Sequence, residues 1–268
     1  MKLNRRIIFL FALVIALLLP FNHSTLVSAK EKKKQSVEIP NHVLDISKEN
    51  TYPNATEDQE VIEPSELTKE LLEGLEKTPI ENPDLIKMLN ETTLKPSPIA
   101  IGYRGMIFLG RWPLNYKSNE TNVNWQYQKI NGNELNNLGG DTTQKLSFSQ
   151  QTDKEIKGAL TNKITNPDDV KKMMLLKAKH KTKLPLSYKA MVGKGTKKDQ
   201  AYNVPVKKYG YLNAYAPAIN EKGQITFGEV YIQLQGKNKK IVIKNVTKQG
   251  IGAWIPIQDY ISFSFTLK

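Results

Sequence analysis

The segment "YISFSFTL", residues 260–267, sets Ile261, Phe263, Phe265 and Leu267 against Ser262, Ser264 and Thr266. A period of two puts the apolar set on one side of an extended chain, so one face of this segment must be buried. The preceding stretch makes the same demand. "ITFGEVYIQLQ" and "KIVIKNVT" flank a "GKNK" turn and read as a β-hairpin. Pro205, Pro217 and Pro256 each interrupt a central-strand reading and mark strand ends or edges.

Upstream, "IAIGYRGMIFLGRW" has glycines spaced as in a strand that bends or bulges. "NVNWQYQKINGNE" puts Val123, Trp125 and Tyr127 on one face and Asn124, Gln126 and Gln128 on the other, closing in an Asn-Gly turn. "QKLSFSQQ" continues the strand reading. Three segments follow the helical period instead. In "EPSELTKELLEGLEK", Pro64 suits a first turn, Leu67, Leu71, Leu72 and Leu75 recur at helical spacing, and the helix is expected to end between Gly74 and Thr78. In "NPDLIKMLNE", Asn82 can cap and Leu85, Ile86 and Leu89 share a face. In "NPDDVKKMMLLKAKHK", Asn166 can cap, Asp168 and Asp169 meet the positive end of the helix dipole, and Val170, Met173, Met174, Leu176 and Ala178 form the stripe to be buried. The expected fold class is α+β, a mainly antiparallel sheet with two short N-terminal helices and one central helix.

The first residues address the compartment. Lys2, Arg5 and Arg6 precede an apolar run from Ile7 to Leu19, and Val27-Ser28-Ala29 supplies small residues before a cleavage point. Residues 1–29 are expected to be a cleaved secretory signal, because a spanning helix needs about 20 apolar residues and Pro20 comes too early. Residues 30–63, with "KEKKKQSVE" and "NTYPNATEDQE", read as a flexible tether, and 64–268 as a single α+β domain. The expected location is secreted or extracytoplasmic, at the cell envelope, with no stable membrane span after cleavage. The chain has no cysteine, which removes disulfides, thiolate metal ligands and thiol nucleophiles. Loss of the three signal cations lowers the net charge from +13 to about +10. Such a charge favours anionic partners, but all strong bases after the signal except Arg104 and Arg111 are lysines. Specific nucleic-acid reading recruits arginine, so no nucleic-acid partner is expected.

"VGKGTKKD", residues 192–199, resembles a phosphate-gripping loop at first sight. A P-loop needs G-x-x-x-x-G-K-[ST] between strand and helix, and here Gly193 and Gly195 are two apart in a strand context. It reads as a turn between strands "LSYKAMV" and "QAYNVPV". Beyond His23 in the signal, His42 and His180 have no partner at metal-ligand spacing, and no G-x-S-x-G elbow is present. No metal, cofactor or catalytic residue is therefore assigned. Acids such as Glu134, Asp141, Glu229 and Asp259 could still converge as a glycosidase-type pair. The ligand-binding candidates are Tyr209, Tyr211 and Tyr215 with Trp254, as a platform for sugar rings, and Lys171, Lys172 and Lys179 on the basic face of the central helix. The acidic stretch from Glu57 to Glu91 is expected to dock on the basic stretch from Lys154 to Lys208.

"DISKENTYPN", "PSELTKELL", "NPDLIKML", "IAIGYR", "NEKGQITFGEVYI" and "QGIGAWIPIQD" together resemble the YfkD-like family of endospore-forming Gram-positive bacteria, over about Ile39 to Leu267. The resemblance implies an exported bacterial protein with a role at the cell or spore envelope, and brings no catalytic residues with it. The expected function is a non-catalytic, envelope-associated protein that binds an anionic cell-wall polymer or an envelope protein through a lysine-rich surface. The alternative is a cell-wall glycoside hydrolase using a carboxylate pair.

Overall fold

The computed structural model describes residues 37–54, 61–92 and 104–268, and residues 36–268 form one compact unit. In chain order the elements are β1 (Val43–Asp45), α1 (Glu66–Leu72), α2 (Pro83–Glu91), β2 (Arg104–Asn137), β3 (Gln144–Ser149), β4 (Lys154–Lys157), β5 (Ala159–Leu160), α3 (Pro167–Thr182), β6 (Lys189–Val192), β7 (Lys197–Val204), β8 (Lys208–Gln235), β9 (Asn238–Pro256) and β10 (Tyr260–Leu267). Three helices lie on a mostly antiparallel sheet, an α+β arrangement. The expected signal, 1–29, lies outside the described residues.

β8 is the axis of the molecule. β2 pairs along one side of it from Arg104↔Gln235 to Asn137↔Lys208. On the other side, β10 takes Gly210 to Tyr215 and β9 takes Ala218 to Gln235. Pro217, expected at a strand end, stands inside this central strand. It is tolerated because it falls in the gap where β10 hands over to β9, so its missing N–H breaks no ladder bond. The "NG" at 131–132, expected to turn, instead runs straight through β2, with a register shift between Lys129 and Asn131. With β8 beside it over its whole length, the strand continues where an isolated segment would fold back. β2 carries five such shifts, which bend and twist an otherwise long free edge. The expected hairpin of β8 and β9 closes at Gly236-Lys237, between Gln235 and its partner Asn238.

Alternation along β8 decides what lies on each face. Odd-numbered Ile219, Ile225 and Phe227 face α3, where Val170, Met173, Met174, Leu175 and Ala178 are buried. Leu175 completes the helix stripe that the sequence assigned to half-buried Leu176. Even-numbered Leu212, Ala214 and Ala216 face the other way, onto Leu146 and Phe148 of β3, Ile156 of β4, Ala190 and Val192 of β6 and Val204 of β7. Further along the same even-numbered face, Val230 and Ile232 meet Leu71, Leu85 and Leu89 of α1 and α2. α3 therefore covers the middle of the sheet on the odd-numbered face, while the small strand pairs and then α1 with α2 cover the proximal and distal sheet on the even-numbered face.

Local caps explain the short helices. Asn82 Oδ1 accepts from the amides of Asp84 (3.0 Å) and Leu85 (3.3 Å), as its position predicts. Ser65, not Pro64, opens α1, accepting from Thr68 N at 3.2 Å. α1 ends at Leu72, so Leu75 lies beyond it and Leu67 faces solvent. Asn166 is left-handed (φ 51°) and makes no side-chain cap.

Residues 37–54, expected to belong to a tether, are folded. β1 pairs with β10, and Ile46 is fully buried. Asn50 Nδ2 donates to Met191 O (3.0 Å) and to Asp259 Oδ1 (3.2 Å), and Asn54 Nδ2 donates to the same two oxygens. Gly193 N and Thr196 Oγ1 donate to Asn50 Oδ1, and Thr51 Oγ1 donates to Lys194 O at 2.8 Å. The turn at 193–196 is thus a receptor for the chain's own "NTYPN". Gly195 supplies φ +88°, and a Cβ on Gly193 would collide with Thr51 Oγ1. The flanking strands β6 and β7 are joined by this turn but belong to separate two-stranded sheets.

Candidate functional site

With α3 over only its middle, the odd-numbered face leaves two ends over which no described element lies. The first is proximal. Tyr209 and Tyr211 stack there with ring centroids 4.6 Å apart, and Tyr209 donates to Glu134 Oε2 at 2.9 Å. That bond, with Glu134's charge behind it, pushes the Tyr209 hydroxyl above the ordinary tyrosine value. The Lys268 ammonium sits 5.2 Å from the centre of the Tyr211 ring. Tyr215 shares this strand face but stands further along, opposite Lys129 and Ser262. Trp254 does not join them. It pairs with Asn220, on the even-numbered face of β8, and stacks on Tyr127 at 4.9 Å. The four-ring platform is therefore split between two faces, because strand parity separates residue 220 from 209, 211 and 215.

The lysines proposed from α3 are largely committed to structure. Lys172 Nζ lies 2.7 Å from Asp84 Oδ2, bonding α3 to α2, and Lys171 pairs with Asp168 at 3.1 Å. Lys177 adds a 3.6 Å pair to Glu81. Lys179 makes no ion pair among the described residues, but its carbonyl accepts the amide of Lys183 that closes the helix. The expected docking of the acidic stretch on the basic one is visible in these contacts.

The same junction holds two facing acids. Asn82 Nδ2 donates to Asp169 Oδ2 at 3.1 Å, and Asp169 is also hydrogen-bonded to Asp84. Burial pushes Asp169 up, and the charge of Asp84 adds to this, so Asp169 keeps its proton above the usual range. Burial acts on Asp84 too, but the hydrogen bonds from Lys172 and Asp169 outweigh it and hold Asp84 low. Through Lys172 and Asn82, the two acids tie α2 to α3. The four acids singled out from the sequence lie apart. Glu134 stands opposite Tyr211, Glu229 opposite Arg111, and Asp259 is held by Asn50 and Asn54. Asp141 is exposed in the loop before β3.

A further acid, Glu221, escaped sequence reasoning altogether. It is fully buried beneath α3, accepting from Tyr116 Oη at 2.8 Å and Thr121 Oγ1 at 2.5 Å. Burial, reinforced by this carboxylate, pushes the Tyr116 and Tyr188 hydroxyls far above the tyrosine range. Only the parity of β8, which puts residue 221 on the α3 face, could have signalled it.

The second uncovered area is distal, on the face away from α1 and α2. The register Met106↔Gln233↔Lys240 and Phe108↔Tyr231↔Val242 puts these six side chains on one face, opposite buried Ile232 and Ile241. Phe108 is 57 % exposed and Met106 44 % exposed. Phe108 packs on Tyr231 with ring centroids 5.0 Å apart, and Lys244 Nζ lies 5.2 Å from the Tyr231 ring centre. Arg104, Arg111, Lys240 and Lys244 share this face by register, with Lys237 in the closing turn, against one carboxylate, Glu229. Hydrogen bonds from Tyr231 and Asn245, then the charges of Arg111 and Lys244, hold Glu229 below the usual glutamate range. Beside this face, Arg104, Met106, Gln233 and Gln235 line a shallow depression of about 280 Å³. Among the described residues no helix is long and apolar enough to cross a membrane, and no cluster of three or more acids or histidines is placed to hold a metal.

The geometry defines an α+β protein built on a half-covered antiparallel ribbon, with cations and uncovered apolar side chains gathered at one tip. The chain belongs to the YfkD-like protein family, whose sequence profile matches residues 40–268. It is 55 % identical over 234 residues to a Bacillus subtilis (strain 168) protein named "Uncharacterized protein YfkD", covering 87 % of this chain and 88 % of that one.

Proposed function

We propose that this is an exported, non-catalytic protein of the cell envelope that works by contact, holding an anionic, phosphate-bearing envelope component on its cationic surface. The observation that carries the reading is the distal tip, where Arg104, Arg111, Lys240 and Lys244 share a face with one carboxylate, Glu229, and Lys237 stands in the adjoining turn. Field from so many like charges raises the local concentration of a polyanion and speeds its capture. The lysines of α3, the first candidates, are turned to holding the helical layer, so the sheet tip takes their place. The carboxylate-pair reading draws no support from the acids it rested on: Glu134, Glu229 and Asp259 are held in separate structural contacts and Asp141 is exposed in a loop.

The test is a pull-down on purified cell wall at rising salt. Binding should weaken steeply, because exposed charges are screened within about 8 Å at physiological ionic strength. Reversing Lys237, Lys240 and Lys244 to glutamate should abolish it, whereas reversing Lys171 and Lys179 should reduce it little. Salt-insensitive binding, or equal loss from both sets, would contradict the reading.

A further inference from the structure

Charge alone suits any polyanion, but the distal tip is not only charged. Met106, Phe108, Tyr231 and Val242 share its outward face, and the exposed rings and thioether lie between the cations, not behind them. Lys244 Nζ reaches across to Met106 Sδ at 3.7 Å, so cation and apolar surface are one continuous patch. The opposite face of the same strands is closed by α1 and α2 through Leu71, Leu85 and Leu89. One side of the ribbon thus has an apolar partner within the fold, and the other side has none among the described residues.

A hydrated phosphate polymer offers the cations a partner and leaves Phe108 and Met106 in water. A bilayer with anionic headgroups satisfies both, because the rings can enter the headgroup boundary while Arg104, Arg111, Lys240 and Lys244 stay at phosphate level. Strand geometry helps: the pleat presents the apolar side chains together on one face, with the lysines flanking them. Cations near an anionic surface each raise affinity about fivefold.

We propose that this distal face docks the protein on an anionic phospholipid bilayer, lying at the interface without crossing it. The proposal rests on the contact function above and specifies which phosphate-bearing component is held. The test uses residues 30–268, the mature chain expected from the sequence, which contains the whole 36–268 unit and leaves out the apolar run. Co-sedimentation is measured with vesicles of phosphatidylglycerol and phosphatidylcholine, and with vesicles of phosphatidylcholine alone. Binding to the anionic vesicles and not the neutral ones is expected. Phe108→Ser with Met106→Ser should weaken it about tenfold at unchanged net charge, and Lys240→Glu with Lys244→Glu should remove it. Phe108→Trp, which keeps the face intact, should show a blue shift of emission on adding anionic vesicles that exceeds the parent chain's. No binding to anionic vesicles, an affinity indifferent to the loss of Phe108 and Met106, or no extra emission shift in the Phe108→Trp variant would overturn the proposal. So would self-association of the chain that is lost in the Phe108→Ser variant, which would make a second copy the occupant. Salt-sensitive binding to purified wall alongside a negative vesicle assay would sink the membrane proposal and leave the contact function standing; loss of both would end both.

Discussion

Glu221 shows what a single side chain can demand. A carboxylate taken wholly out of water persists only if its oxygens are satisfied, and here two hydroxyls, from Tyr116 and Thr121, do so. Tyr116→Phe should therefore lower unfolding stability by about 2–3 kcal/mol, since it strips one bond from a buried charge. Urea denaturation reads this, and Glu221→Gln should cost less because it removes the charge together with the need. At Gly193 the constraint is steric. Gly193→Ala would press a methyl group against Thr51 and Tyr52, so residues 50–54 should lift off and become the first site of limited proteolysis, with the rest of the chain still folded. The sequence shows a glycine turn at 193–195 plainly, because its spacing contradicts a P-loop. It does not show that the turn is a receptor. Asn50 and Asn54 look like local turn formers, and only the fold reveals that their amides bond across the chain to Met191 and Asp259.

At the scale of elements, the junction of α2 and α3 is the most instructive. α2 is legible from sequence because cap, proline and apolar face all agree. The length of α1 is not, since Leu75 keeps the helical spacing after the helix has stopped. The contact between the helical arm and the body is foreseeable from their opposite charges, though not the facing of Asp84 and Asp169 within it. Its pH dependence follows by sign. Asp84 is held low, so its contribution is present above the ordinary aspartate value of about 3.9 and is lost as pH falls through its depressed value. Asp169 is held high, so its contribution is present at low pH and is lost as pH rises through its raised value. Asp169→Asn should thus flatten the decline in melting temperature that accompanies rising pH above about 4, and leave the acid limb set by Asp84. Thermal melts across about pH 3 to 7 check both limbs. Removing residues up to Asn90 should lower the melting temperature markedly, by uncovering Leu114, Val230, Ile232 and Ile241. An unchanged value would mean the arm is not part of the core.

Over the whole molecule, function follows from what the layers leave uncovered. α3 closes one face of the long ribbon at its middle, strand pairs and α1 with α2 close the other at its proximal and distal ends, and the two remaining areas differ in chemistry. Composition announces the positive charge but cannot place it. Arg104, Arg111, Lys237, Lys240 and Lys244 gather there because the β8–β9 hairpin and the start of β2 end together, and the register sets Met106 and Phe108 beside Tyr231 and Val242. The four-ring platform fails for the same reason. Trp254 reads as a neighbour of Tyr209, Tyr211 and Tyr215 in composition, yet parity sends it to the opposite face. Hydrogen exchange of residues 30–268, free and bound to purified wall or anionic vesicles, tests the contact claim most directly. Amide protection should appear in residues 104–111 and 231–244 and be absent from 167–182. Protection centred on α3 or around Tyr209 and Tyr211, with the distal strands unchanged, would contradict it.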